Sequence, residues 1–264
     1  MSSSIKPIRY GQDWTRDESI LAFDLYCRIP FKKTKANNKD VIALATLLQR
    51  SPGSVARKLG NFGAFDPELA KRNISGLIHT SELDEAIWTE FNSDWEKRVM
   101  KAERLRDKLT AKLPSEVKQT SEKVFGPTER EARTKQRVYQ DFFRDAVLAG
   151  YNQSCCICGL PHPEILIASH ILPWSIGKDS RVNPANGLCL CASHDRAFDR
   201  QLLVIGPDYT IILASRIKSS KDLASKRLFA AFDGKRILLP ERFIPRQDFL
   251  CWRLERFERS ERGL

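Results

Sequence analysis

Cys155, Cys156, Cys158, Cys189 and Cys191 are five of the chain's seven cysteines, and they share one stretch with His162, His170 and His194, three of its four histidines. If soft thiolate and imidazole donors gathered this way are to share an ion, the two ends of the stretch must fold back on each other, which limits the local topology severely. Buried free thiols are the alternative. Residues 1–10 lack the apolar core of an export signal, so a cytoplasmic chain with reduced thiols is expected rather than a disulfide framework. No apolar run nears the roughly 18 residues of a membrane span, so no membrane association is expected. Lys and Arg number 44 against 33 Asp and Glu, a formal charge of +11, which favours an acidic partner, nucleic acid above all.

The first part of the chain reads as helical. Thr15-Arg-Asp-Glu18 has the spacing of a capping box, and Ile20, Leu21, Phe23, Leu25 and Tyr26 follow as a broad apolar face. A second helix is expected from Asp40, with Val41, Leu44, Ala45 and Leu48 on one side. The break at Arg50-Ser-Pro-Gly53 offers Ser51 as an N-cap and Pro52 at the first helical position. The next helix turns Val55, Leu59 and Phe62 inward and Arg57, Lys58 and Asn61 outward. Two helices joined by a tight turn, with basic and amide groups on the free face, fit a helix-turn-helix-like unit that contacts DNA. A solvated basic face is the plainer reading. Phe62, Phe65, Leu77, Ile87, Trp88, Phe91 and Trp95 are expected to fill the core, and His79 stands alone.

From Ser81 to about Leu113 the pattern predicts one long polar helix, read as a solvated spacer and ended by Pro114. Residues 114–128 have linker composition, and another helix runs from Glu129 to Gly150. Ile165–Ile171 has the β-branched content of a short strand. Pro184-Ala-Asn186-Gly187 is turn chemistry, Leu188–Cys191 reads as a second strand, and Ser193–Arg200 can form a short helix. Further on, 201–205 and 209–213 make a plausible hairpin. Lys221–Phe232 reads as helical, Arg236–Leu239 as a strand, and the charge-alternating 253–262 stretch as an exposed helix. Cys27 and Cys251 lie in apolar surroundings and are expected in the core.

His170, Asn186 and His194 stand in the order His-Asn-His. With the phrases Ala168-Ser-His-Ile-Leu-Pro-Trp174, Asn183-Pro-Ala-Asn-Gly-Leu-Cys189 and His194-Asp-Arg-Ala-Phe-Asp-Arg200, the stretch resembles the HNH endonucleases. The three phrases closely resemble a bacterial restriction-endonuclease-like subfamily. The resemblance extends from about residue 129, taking in Arg137-x-x-Gln140-x-x-Phe143-Arg144. It implies a ββα-metal fold in which a hairpin and a helix hold one divalent ion, Mg²⁺ or Mn²⁺. The architecture expected is therefore α+β, with a helical DNA-binding domain over 1–95, a helical linker over 96–128 and an HNH nuclease domain over 129–264.

Phosphodiester hydrolysis needs an activated water, charge neutralisation at phosphorus and help for the departing oxygen. In this frame His170 is the general base, Asn186 orients its ring, and His194 ligates the ion. Many such proteins carry Asp or His just before the base as a second ligand. Here that residue is Ser169, and Asp199, ahead of Asp195, is the expected replacement. Arg196 and Arg200 are candidates for phosphate contact. Cys155-x-x-Cys158 can form half a structural Zn²⁺ site that Cys189-x-Cys191 closes, although His194 could instead complete a Cys191-x-x-His194 pair. The activity implied is metal-dependent cleavage of double-stranded DNA in host defence by restriction, by a homodimer because one motif serves one strand. Two rivals remain: a nuclease whose N-terminal domain reads a modified base, and a non-catalytic DNA-binding regulator scaffolded by zinc.

Overall fold

The computed structural model describes residues 9–72, 81–111 and 127–263. Leu77, His79 and nearly all of the 114–128 linker lie outside them. The chain divides into two compact units, Met1–Phe142 and Phe143–Leu264.

In the first unit, α1 (Arg16–Arg28) starts at the capping box read from the sequence: Thr15 accepts from the Glu18 amide while Glu18 accepts from the Thr15 amide at 2.8 Å. Ile20, Leu21, Phe23 and Tyr26 are fully buried. α2 (Lys39–Leu48) is capped by Asn38 and stopped by Gln49 in the left-handed region. α3 (Pro52–Gly63) begins at Ser51 with Pro52 in its first turn, as expected. α4 (Pro67–Lys71) is capped by Asp66, and α5 (Glu82–Ser93) by Ser81.

The single helix expected over 81–113 breaks at Asp94, whose carboxylate caps a new helix, α6 (Trp95–Thr110), by accepting from the Lys97 amide at 3.0 Å. Nor is α6 a solvated spacer. Trp95, Val99 and Ala102 are buried, and Arg106 reaches Asp24 of α1 at 2.7 Å. Burial alone would raise the Asp24 carboxyl, but the Arg28 and Arg106 guanidiniums hold it below the ordinary carboxylate value.

A second correction concerns α3. Only Arg57 of the three outward candidates is exposed. Lys58 is buried and ion-paired with Asp84, while Asn61 donates to the same carboxylate at 3.3 Å. Asp84 lies at the start of α5 with no solvent access, so an unpaired charge there would be costly and the nearest cation folds inward to meet it. The Trp14 ring, 5.1 Å from the Lys58 ammonium and 4.5 Å from the Arg50 guanidinium, covers that charge.

The second unit is built on the end of α7 (Pro127–Gly150), which supplies Phe143, Val147 and Leu148 to its core. β1 (Leu166–His170) pairs antiparallel with β2 (Gly187–Cys191), with His170 opposite Gly187. α8 (Ala192–Asp199) follows β2 directly. β3 (Leu203–Ile205) and β4 (Ile211–Leu213) form the later hairpin. α9 (Ser215–Lys218) and α10 (Leu223–Leu228) lead to α11 (Gln247–Glu261).

The helix expected over 221–232 stops at Phe229, and the strand expected over 236–239 is reduced to a single bridge between Thr210 and Arg236. α11 starts before 253 and is not an exposed helix, since Phe249, Leu250, Arg253 and Phe257 are buried on it. Cys27 is in the core, whereas Cys251 is exposed, contrary to expectation. Among the described residues no helix is long and apolar enough to cross a membrane.

Candidate active site

The strand–loop–strand–helix order predicted for 165–200 is present, and α7 braces it. Arg144 donates to the carbonyls of Leu166 at 2.7 Å and Pro163 at 3.1 Å, fixing where β1 begins. Gly187 faces α7 so closely that a Cβ there would come within 2.3 Å of Val147 and 3.0 Å of Phe143. This contact lets the Phe143 ring stack on His170 at the end of β1, with centroids 3.7 Å apart and planes 8° from parallel.

The other face of the imidazole's environment is polar. Nε2 lies 2.8 Å from the Arg181 carbonyl, which can only accept, so Nε2 carries the proton and Nδ1 keeps the lone pair. Burial pushes the His170 imidazolium below its ordinary value, with the Arg181 carbonyl partly opposing, and the ring is neutral at pH 7.

Asn186 does not touch that ring, contrary to the role expected for it. It is fully buried; its amide oxygen accepts from Leu172 N at 2.8 Å, and its amide nitrogen donates to the carbonyls of Leu172 and Ser180, each at 3.2 Å. It therefore clamps both ends of the loop between the strands. The residue after Ser180 is Arg181, so Asn186 acts on His170 through the main chain.

His194 is the largest departure from the sequence reading. Instead of facing His170 across a shared ion, it sits among thiols: Nδ1 is 3.1 Å from Cys191 Sγ and 3.5 Å from Cys155 Sγ. Its Nε2 donates to the Leu228 carbonyl at 2.8 Å. Both nitrogens are thus committed. The spacing Cys191-x-x-His194 produces this, because it places the two residues three apart at the α8 N-terminus, on one side of its first turn.

The ligand atoms of Cys155, Cys158, Cys191 and His194 all lie within 4.8 Å of one another. Just beyond α7, two left-handed residues, Asn152 and Gln153, swing the chain into the Cys155–Cys158 knuckle. Gly159, at φ +73°, closes that knuckle with its amide on the Cys155 carbonyl at 2.8 Å. The Cys156 amide then pins the knuckle to β2 through the Cys189 carbonyl, also at 2.8 Å. Three thiols and one imidazole with its remaining nitrogen held by a carbonyl are a donor set that suits zinc. Cys189, expected in this set, is outside it: it is buried in the core, and burial, reinforced by Cys155, pushes its thiol up to about 12.

The carboxylate that meets Ser169 is Asp195, not Asp199. Ser169 donates a short hydrogen bond to Asp195, and the Asp195 carboxyl is raised by burial, with Asp199 adding to the shift. Asp199 is exposed and lies 3.9 Å from Arg253. Arg196, on the same short helix, and Arg200, the residue that follows it, are also exposed. Sequence reasoning missed Phe143 as the ring's stacking partner and the Arg181 carbonyl as its anchor, because both contacts join segments distant in the chain. Asp195 was within its reach as the second choice after Asp199, and it is Asp195 that meets Ser169.

Residues 155–206 match a family model, HNH_2, described as HNH endonuclease. The match begins at the first cysteine of the cluster and takes in β1, β2, α8 and β3. A nuclease domain, in general a hydrolase acting on DNA with a divalent metal, is what it supports. No curated protein matches the chain.

Proposed function

We propose that the second unit is a metal-dependent endonuclease that hydrolyses DNA phosphodiester bonds, with His170 as general base. One observation carries this reading. Within the stretch similar to HNH endonucleases, a neutral imidazole with a fixed tautomer stands next to Ser169, and Ser169 is hydrogen-bonded to a half-buried carboxylate. His170 Nδ1 takes a proton from water while Nε2–H stays on the Arg181 carbonyl, so the ring need not rotate when its charge changes. Phe143 excludes solvent from one face and keeps the ring aimed.

Asp195, with Ser169, would hold the divalent ion in place of the expected His194 and Asp199. Their hard oxygen donors suit Mg²⁺ or Mn²⁺, and a nearby cation would offset the burial that raises the Asp195 carboxyl. Bound there, such an ion would supply charge neutralisation at the phosphate and the departing oxygen. Cys155, Cys158, Cys191 and His194 would hold a structural zinc that ties the knuckle before β1 to the start of α8.

The first unit, with exposed Arg57, would position DNA, and Arg196 and Arg200 would contact backbone beside the site. Cleavage of both strands then calls for two copies, and restriction of foreign DNA is the biological role that fits. A second reading, a zinc-scaffolded DNA-binding regulator, is favoured by Ser169, which is a weaker ligand than the residue usual at that position.

Nicking of supercoiled plasmid decides between them. The wild-type chain should nick in Mg²⁺ or Mn²⁺ and not in EDTA, and His170→Ala should lose about 10²–10⁴-fold in rate. Undiminished nicking by His170→Ala would remove the base assignment, and no nicking by the wild type would leave the regulator.

A further inference from the structure

Arg181 presents two chemically different ends to the neighbourhood of His170. Its carbonyl accepts the His170 Nε2–H. Its guanidinium lies over the Trp174 ring, 5.2 Å from the centroid, and its Nε donates to the Trp174 carbonyl at 2.7 Å. Trp174 in turn meets His170 edge to face, with centroids 5.7 Å apart. The guanidinium is therefore held close to the base and braced against a ring. Neither of its Nη groups has a partner among the described residues.

Other partly buried arginines of this chain are used differently. Arg106 gives its outer nitrogens to Asp24 and Glu103, Arg144 to two carbonyls, and Arg50 to Glu18 and the carbonyls of Gln12 and Asp13. Those forks are filled by the fold, whereas the Arg181 fork is oriented by the fold and left open. A fixed planar fork with two donors unfilled is built to receive two oxygens of one tetrahedral anion. Asn186 strengthens the point, because its hold on the Ser180 carbonyl anchors the turn that carries Arg181.

We propose that Arg181 clamps the non-bridging oxygens of the phosphodiester that His170 attacks through water, while its own main chain orients that base. The inference rests on the nuclease reading above and adds to it a substrate-contacting residue. Joining both tasks in one residue sets the distance between base and phosphate by the length of a single side chain.

The test compares Arg181→Ala and Arg181→Lys with wild type, using plasmid nicking in Mg²⁺ or Mn²⁺ and binding of a short DNA duplex in EDTA across a salt series. Alanine keeps the main-chain carbonyl, so the ¹⁵N NMR signature of the Nε2–H tautomer of His170 should persist. In Arg181→Ala the turnover number should fall about 10²–10³-fold, as for loss of one oxyanion donor. The log–log salt slope of duplex binding should shrink by about 0.9, as for one phosphate. Lysine should restore the slope but little of the rate, since it carries the charge without the fork. Wild-type rate and slope in Arg181→Ala would overturn the clamp. So would a lost rate with an unchanged slope and a changed tautomer, which would mean that the residue only shapes the base. If the wild type cuts nothing with either metal, the nuclease reading fails and takes the attacked phosphodiester with it, whereas an unchanged slope in Arg181→Ala beside normal wild-type cutting overturns the clamp alone.

Discussion

His170 and His194 are prepared by the same device and set to different uses. Each donates Nε2–H to a backbone carbonyl at 2.8 Å, from Arg181 in one case and Leu228 in the other, and each keeps a lone pair on Nδ1. Around His194 that lone pair meets thiols within 3.5 Å, and both nitrogens have partners inside the fold. Around His170 the ring is stacked and anchored, but Nδ1 has no partner among the described residues. The tautomer is therefore not what separates a structural imidazole from a reactive one. What separates them is whether the second nitrogen is filled by the protein or left for something the protein must bind.

The sharpest way to break this comparison is metal content. Purified wild-type chain should carry about one zinc, and His194→Ala or Cys191→Ser should lose both the zinc and the cooperative melting of the second unit. Structural zinc contributes about 10–16 kcal/mol of apparent binding energy in small finger peptides, so this is the largest effect expected here. His170→Ala should keep its zinc and its melting transition. Full zinc in His194→Ala, or none in the wild type, would mean that the two imidazoles are not divided as described.

The same contrast between filled and open polar groups can be tested in the first unit, where charges are paired internally. Lys58→Ala strands the Asp84 carboxylate without solvent or cation and should cost about 3–5 kcal/mol in urea unfolding. Arg57→Ala, on the exposed face of the same helix, should stay within about 0.5 kcal/mol. Equal, small effects of the two would show that the inward lysine is not holding α3 to α5.

A smaller effect than that of Lys58→Ala is a pH dependence. Asp24 is held below the ordinary carboxylate value of 3.8, so its folded state binds a proton less readily than its unfolded state. The stability it contributes is present above that ordinary value and is lost as pH falls through the lower, folded one. Arg106→Ala removes one of its two cations and should cost about 1.5 kcal/mol at pH 7, with the difference from wild type closing as pH falls through the lowered, folded value. A difference that persists unchanged into acid would assign the loss to packing of the Arg106 stem instead.

Local elements were legible because local chemistry determines them. The Thr15–Glu18 box, the Ser51-Pro52 start and the β1–turn–β2–α8 order all follow from residues within a few positions of one another. Asp94 shows the limit of that logic: its charged neighbours continue a helical pattern, but an Asp that can cap a new helix ends the old one. Lys58 shows another, since helical periodicity assigns it a solvent face and only the buried Asp84, on a different helix, calls it inward.

From the sequence alone came the chemistry available in 155–199: thiols enough for a metal, an imidazole at a strand end, and acids and arginines on a short helix. Which of those groups would be consumed by the fold was decided in three dimensions. His194 and Cys189 have nearly equal claims on the knuckle when only spacing is considered. The α8 turn brings the imidazole to the thiols, while Cys189, two residues before Cys191 on β2, stays outside the set. Charge, hydrogen-bond capacity and reach are properties of a residue, but whether a partner stands within about 3 Å is a property of the packed chain, and that distance decides whether a group is free to act.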